Sequence, residues 1–339
     1  MAREMKLILT VPAHAKFSKL AQDSLIEGVR LNTTIPVKLS LEETLANAKV
    51  EANGKDLWVD LKGRQLRIED HRIHMQQDRE IHYIDLNHEI SVATPTEVLF
   101  DNGHIVARIE EVRDGKTLVI PSSTEMSKGI PLPGQGEVGL RKGMSATILH
   151  PSLRITGYLT ARDKEYVEAA KKNGIHAYML SFVEQESDIT DLLALDDKAK
   201  IVAKIESKAG MNFVSNVYPI TNGFFPGGKN KVTLMAARGD LYLQLDRPHE
   251  IIGACRKIVL ADSGAIMASR LLESLKNPDQ MPHSHDLTDV TCGMYQGYRT
   301  FMLGDDVCRS EASLRSAIGL FDELKKTFGG VRGWKHYFL

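Results

Sequence analysis

Apolar residues along the 339-residue chain fall into two textures. At both ends, short apolar runs alternate with segments of helical period; between them lies a stretch of short runs broken by turn residues. The first texture predicts a strand at Lys6–Thr10, a helix at Phe17–Glu27 ended by Gly28, and a strand at Val29–Thr33. Ser40 and Glu43 have capping-box spacing and open a helix through Lys49, followed by a strand at Leu57–Leu61. From Asp70 to Ser152 the helical period is lost. Runs at Ile81–Ile84, Ile105–Ile109, Thr117–Ile120 and Ala146–Ile148 are separated by Asp101-Asn102-Gly103, Asp114-Gly115 and Gly134-Gln135-Gly136, which reads as a small β module.

The alternation returns at Thr160, an N-cap for Ala161–Asn173. Strands are expected at Ala177–Phe182, Ile201–Ile205, Lys231–Ala237, Ala265–Ala268 and Thr300–Leu303. Helices are expected at Ser187–Leu195, Pro248–Asp262, His285–Tyr295 and Ser310–Phe328. Three strands before the module and five after it make eight. Residues 1–69 and 153–339 together come close to the roughly 250 residues of a (β/α)8 TIM barrel. The expected architecture is therefore an α/β barrel formed by 1–69 and 153–339, with residues 70–152 inserted after the third strand as a small β-barrel lid.

Composition narrows the function classes. Formal charge is −1, which argues against a broad nucleic-acid or polybasic membrane surface. A 42% hydrophobic and 26% charged chain is that of a folded globular protein. The only cysteines, Cys255, Cys292 and Cys308, are odd in number and scattered, so neither a disulfide framework nor a zinc ribbon is expected. The apolar run at Leu7–Val11 is too short for a signal-peptide core. A soluble cytoplasmic protein with a small-molecule substrate is the expectation, with no nucleic-acid or membrane partner.

In such a barrel chemistry sits at the C-terminal strand ends. Those ends carry Arg30-Leu31-Asn32-Thr33-Thr34, Asp60-Leu61-Lys62-Gly63 with Arg67 beyond, Lys204-Ile205-Glu206, Ala237-Arg238-Gly239-Asp240, Ser269-Arg270 and Gly304-Asp305-Asp306. Glu206 and Asp240 are carboxylates suited to a hard divalent cation, which takes only one or two protein carboxylates. Arg30 and Lys204 suit a phosphate or a developing enolate oxygen. His71, His74, His82 and His88 are too loosely spaced for a metal site and read as surface histidines; Cys292 reads as a core thiol.

Seven segments in register resemble the pyruvate kinase family over essentially the whole chain. Arg30-Leu31-Asn32 with Thr34 resembles Arg-Leu-Asn-Phe-Ser, and Asp60-Leu61-Lys62-Gly63-Arg64-Gln65-Leu66-Arg67 resembles Asp-Thr-Lys-Gly-Pro-Glu-Ile-Arg. Lys128-Gly129-Ile130-Pro131-Leu132-Pro133-Gly134 is similar to Lys-Gly-Val-Asn-Leu-Pro-Gly. Lys204-Ile205-Glu206 and Ala237-Arg238-Gly239-Asp240-Leu241 are the most specific matches, followed by Ala268-Ser269-Arg270-Leu271-Leu272-Glu273-Ser274 and by Asp289-Val290 with Phe301-Met302-Leu303.

The resemblance implies a glycolytic Mg2+- or Mn2+-dependent phosphotransferase acting between phosphoenolpyruvate and ADP (ATP in reverse). It implies Lys204, Arg30, Ser269 and Arg270 at the reacting centre, Gly239 and Asp240 against the substrate, and Glu206 and Asp240 on the divalent ion. It further implies a K+ shell of Asn32, Thr34, Asp60 and the Leu61 carbonyl, and Pro12 and Arg67 toward the nucleotide. The family's C-terminal allosteric domain has no counterpart in this chain, which favours a homodimer through the barrel. Departures cluster on the nucleotide side: Ile35 stands for a histidine, Thr10-Val11-Pro12 is shortened, and Gln65 replaces a charge tied to K+. Arg270 replaces a glutamine, and Gly304-Asp305-Asp306 replaces Ser-Gly-Glu. The phosphate acceptor is therefore open, and two other functions compete. One is a metal-dependent enolate lyase or aldolase acting on pyruvate or a phosphorylated keto acid; the other is a ligand sensor that has lost turnover.

Overall fold

The computed structural model describes residues 4–11, 18–34, 38–77, 79–121 and 140–329. Eight parallel strands close on themselves: β1 (Lys6–Val11), β2 (Ile26–Asn32), β3 (Asp56–Leu61), β4 (Ala177–Leu180), β5 (Lys200–Ile205), β6 (Thr233–Ala237), β7 (Ile266–Ala268) and β8 (Thr300–Met302). Each lies beside its sequence neighbour, and β1 pairs with β8 to complete an α/β barrel. Ile8, Met179, Val202, Met235, Ile266 and Met302 fill its interior with Trp58 packed beside them. Each fully buried aliphatic side chain of this kind contributes roughly 1.5–3 kcal/mol.

One local prediction fails for a clear reason. The helix expected at Phe17–Glu27 is only a turn at Ser18–Ala21, and β2 begins at Ile26, not Val29. Asp23 Oδ1 accepts the Leu25 N–H at 2.8 Å and turns the chain early. Gly28 lies inside β2, where a Cβ would stand 2.9 Å from the Trp58 indole nitrogen. It is a close-approach glycine in a strand, not a helix terminator. The helix Leu41–Ala52 has the expected capping box, with Ser40 accepting from Glu43 N–H and Glu43 returning to Ser40.

The chain divides into two compact units, residues 1–62 with 161–339, and residues 63–160. The second unit is wider than the expected 70–152. Its first strand, Ile68–Gln76, went unread because its exposed polar positions hide the period, and Arg154–Ile155 pairs with Ile90–Ser91 at the other end. Ile68–Gln76, Arg79–Leu86, Thr117–Pro121 and Glu111–Arg113 form one antiparallel sheet. Ala146–Thr147, Thr96–Phe100 and Ile105–Ile109 form another. Among the described residues these are separate sheets around a core of Ile84, Leu86, Val98, Phe100, Ile109 and Leu118, with no closed small barrel among those residues. His82 and His88 are buried, not surface histidines, and Cys292 is half-buried while Cys255 and Cys308 are buried. The segment Lys128–Gly134 and Pro12 lie outside the described residues. Among the described residues no helix is long and apolar enough to cross a membrane.

Candidate active site

Strand direction brings Arg30, Asp60 and Lys204 inside one barrel, near the C-terminal ends of β2, β3 and β5. Asp60 is wholly buried and lies at the centre. Its Oδ2 accepts from Arg30 Nε at 2.9 Å, from Arg30 Nη2 at 2.5 Å and from Lys62 Nζ at 3.3 Å. Its Oδ1 accepts from Lys204 Nζ at 3.2 Å. Burial pushes the Asp60 carboxyl upward, but Lys204, Lys62 and Arg30 outweigh it and hold the group well below the usual carboxylate range. Burial likewise disfavours the Lys204 cation, yet Asp60 and Glu206 raise its pKa, so it stays protonated.

Lys204 Nζ also reaches Ser181 Oγ at 2.8 Å and lies 3.3 Å from Glu206 Oε1. The other Glu206 oxygen accepts the Phe182 N–H at 2.8 Å, and Phe182 has a left-handed backbone, φ 51°. Burial raises the Glu206 carboxyl; Lys204 opposes the shift and the Asp240 charge adds to it. A buried carboxylate whose ionised form is disfavoured by a second one nearby is a donor set that a hard divalent cation reconciles, and Mg2+ needs no more than two. Among the described residues no group of three or more His, Cys, Asp or Glu is arranged as a metal cage.

The K+ shell implied for Asn32, Thr34, Asp60 and Leu61 does not fit. Asn32 Oδ1 accepts from Thr34 N–H at 3.1 Å, Thr34 Oγ1 at 2.7 Å and Lys62 Nζ at 3.3 Å. The Leu61 carbonyl accepts the Ser181 N–H. The Lys62 ammonium thus lies between Asn32 and Asp60.

Ser269 and Arg270 follow β7, and the chain there is left-handed at Ser269, Arg270 and Leu272, with φ of 73°, 55° and 54°. Such backbone costs about 1–3 kcal/mol per residue unless neighbours hold it. Arg238 Nη2 does so, donating to Ser269 O at 2.9 Å and anchored on Asp289 at 3.0 Å. Asp286 accepts the Glu273 and Ser274 N–H groups. Ser269 lies against Gly239, where a Cβ would be 3.5 Å from that of Ser269. The Arg270 side chain is exposed, and neither residue makes a hydrogen bond to Lys204. Arg67, expected toward a nucleotide, is bonded within its own unit to Gln65 Oε1 and the Gly143 carbonyl.

Sequence reasoning missed three contributors to this site: Ser181, Arg238 as a backbone clamp, and Asp305; Lys62 is the ion-pair partner of Asp60 that the sequence offers. Asp305 Oδ2 accepts from Arg30 Nη1 at 3.2 Å, and both its oxygens accept from Asn32 Nδ2 at 3.0 Å. Burial raises its carboxyl, but Arg30 and Asn32 reverse the shift and keep it ionised. Its position at a strand end was visible; nothing local names its partner.

Fold and mouth together define a (β/α)8 barrel that gathers buried cations and carboxylates at the C-terminal ends of its strands. The profile described as "Pyruvate kinase, barrel domain" matches residues 29–313, and the chain belongs to the pyruvate kinase family. It is 28% identical over 246 residues to pyruvate kinase 2 of Candida glabrata, covering 68% of this chain and 42% of that protein. Pyruvate kinase 1 of Saccharomyces cerevisiae is 28% identical over 246 residues, covering 68% of this chain and 43% of its own. Pyruvate kinase of Agrobacterium vitis is 29% identical over 220 residues, covering 62% and 40%. The chain therefore spans about two fifths of the length of these relatives.

Proposed function

We propose that the barrel catalyses phosphoryl transfer between phosphoenolpyruvate and ADP through enolpyruvate. The observation that carries this reading is the Lys204 ammonium, buried and held between Asp60, Glu206 and Ser181 beside a pair of carboxylates. In the forward direction the bond from the enol oxygen to phosphorus breaks as the ADP β-phosphate oxygen takes the phosphoryl group. Charge then develops on the enolate oxygen, and Lys204 is the fixed cation that neutralises it. Arg30 orients the phosphoryl oxygens, Gly239 and Asp240 border the substrate, and Ser269 with Arg270 lines the face on which C3 gains its proton. Glu206 and Asp240 are the residues that would hold a divalent ion, which supplies Lewis-acid charge to the substrate oxygens when bound.

A coupled assay with phosphoenolpyruvate, ADP and Mg2+ tests this: ADP-dependent pyruvate formation is expected, and its absence at millimolar substrate rejects the phosphotransfer step. One observation favours a second reading, enolate chemistry on a carbonyl acid without phosphoryl transfer. The Arg30 guanidinium is already engaged by Asp305 as well as Asp60. Solvent deuterium exchange at pyruvate C3, without ADP-dependent pyruvate formation, would select it.

A further inference from the structure

Arg30 has five N–H bonds to donate. Nε and Nη2 go to Asp60, and Nη1 goes to Thr10 Oγ1 at 3.2 Å and to Asp305 at 3.2 Å. The two carboxylates on this guanidinium differ in kind. The Asp60 side chain is 0% exposed and is held by two further cations, whereas the Asp305 side chain is 32% exposed. Asp305 stands just past β8, between Gly304 and the short turn Val307–Arg309. A Cβ added at Gly304 would meet nothing within 4 Å, so the space beside Asp305 is open. Asn32 Nδ2 meets both Asp305 oxygens.

A guanidinium N–H and an amide N–H converging on two anionic oxygens are donors that a phosphoryl group takes. Asp60 is held by Lys62 and Lys204 as well as Arg30 and is fixed in place, so Asp305, the more exposed of the two carboxylates, is the one that can give way. We propose that Asp305 is a specificity-determining residue: its carboxylate occupies the phosphoryl position on Arg30 and Asn32, and a phosphorylated ligand must displace it to bind. A carbonyl acid without a phosphoryl group leaves Asp305 in place. The mouth therefore discriminates by the charge of what enters, admitting oxalate-like or pyruvate-like anions at full affinity and phosphorylated ones at a penalty. This inference rests on the reading of Arg30 as the phosphoryl ligand given above.

Calorimetric titration of the whole chain with phosphoenolpyruvate and with oxalate, each in Mg2+, tests it. Asp305→Asn keeps the shape and removes the charge; Asp305→Gly removes the group and guards against a folding defect in the first variant. Both are expected to bind phosphoenolpyruvate at least tenfold more tightly than the parent, with oxalate affinity changed less than twofold. Unchanged affinity for phosphoenolpyruvate overturns the inference. So does weaker binding of phosphoenolpyruvate with oxalate unaltered, which would make Asp305 a residue that aims Arg30. If parent and variants bind neither ligand, the enolate reading fails together with it; oxalate binding by the parent keeps the two failures apart.

Discussion

The barrel mouth and the second unit both bury ionisable side chains on strands, and they do so in opposite ways. In the mouth the Asp60 charge is kept and matched, shared by Arg30, Lys62 and Lys204. In the second unit His71 Nε2 and His82 Nδ1 lie 2.9 Å apart, with the rings stacked and 7° from parallel. His71 Nδ1 faces the Leu140 carbonyl at 3.3 Å and must donate to it. In a neutral pair the His71 Nε2 is then bare, so His82 Nδ1 is the donor. That leaves His82 Nε2 unprotonated, and it is a buried atom with no hydrogen-bond partner among the described residues. Burial, then the nearness of His71, lowers the His82 pKa. One region stays charged because opposite charges arrive from several strands. In the other, His82 is pushed toward its neutral form because burial and the nearness of His71 outweigh the Glu80 charge on the same hairpin.

The largest test of this contrast is Asp60→Asn. It leaves Arg30, Lys62 and Lys204 around a neutral amide, and the barrel should lose about 3–5 kcal/mol in a urea melt; a loss under about 1 kcal/mol would show that the cluster relaxes freely. Next comes Lys204→Met, expected to lower kcat by 10²–10³-fold, about 3–4 kcal/mol, with a smaller change in KM. Equal losses in both would remove Lys204 from the transition state.

The pH windows sharpen the comparison further. His82 has a lowered folded pKa, so the unfolded chain takes the proton first. Its contribution is whole above about 6.5 and is lost as pH falls from there toward the folded value. Asp60 is depressed from a carboxylate value, so its contribution persists down to about 3.9 and is lost only below that. Melts between pH 7 and 5 should show a slope that His82→Gln changes and that Asp60→Asn leaves intact. The smallest effect is expected from exchanging K+ for tetramethylammonium in the coupled assay. Turnover should change less than twofold, because the Lys62 ammonium already bridges Asn32 and Asp60.

How much of this was legible in the sequence varies from element to element. The capped helix at Leu41–Ala52 and the strand at Ile105–Ile109 could be read because each is decided by its own few residues. Gly28 misled because a glycine that ends a helix and a glycine that admits a tryptophan look alike until Trp58 is placed beside it. Ile68–Gln76 was missed because most of its side chains face water, so its composition lacks the strand period. At the site, Arg30, Lys204 and Glu206 could be picked out as strand-end charges, and their family resemblance added roles.

What the sequence determined unaided was the order of the eight barrel strands and the set of charged residues at the strand ends, since period and capping act over a few positions. Who meets whom was decided only by barrel closure. Lys204 reaches Asp60 across 144 positions and Asp305 reaches Arg30 across 275. A carboxylate's partner is set by distance in space, and no local pattern encodes that distance until eight strands have closed the ring.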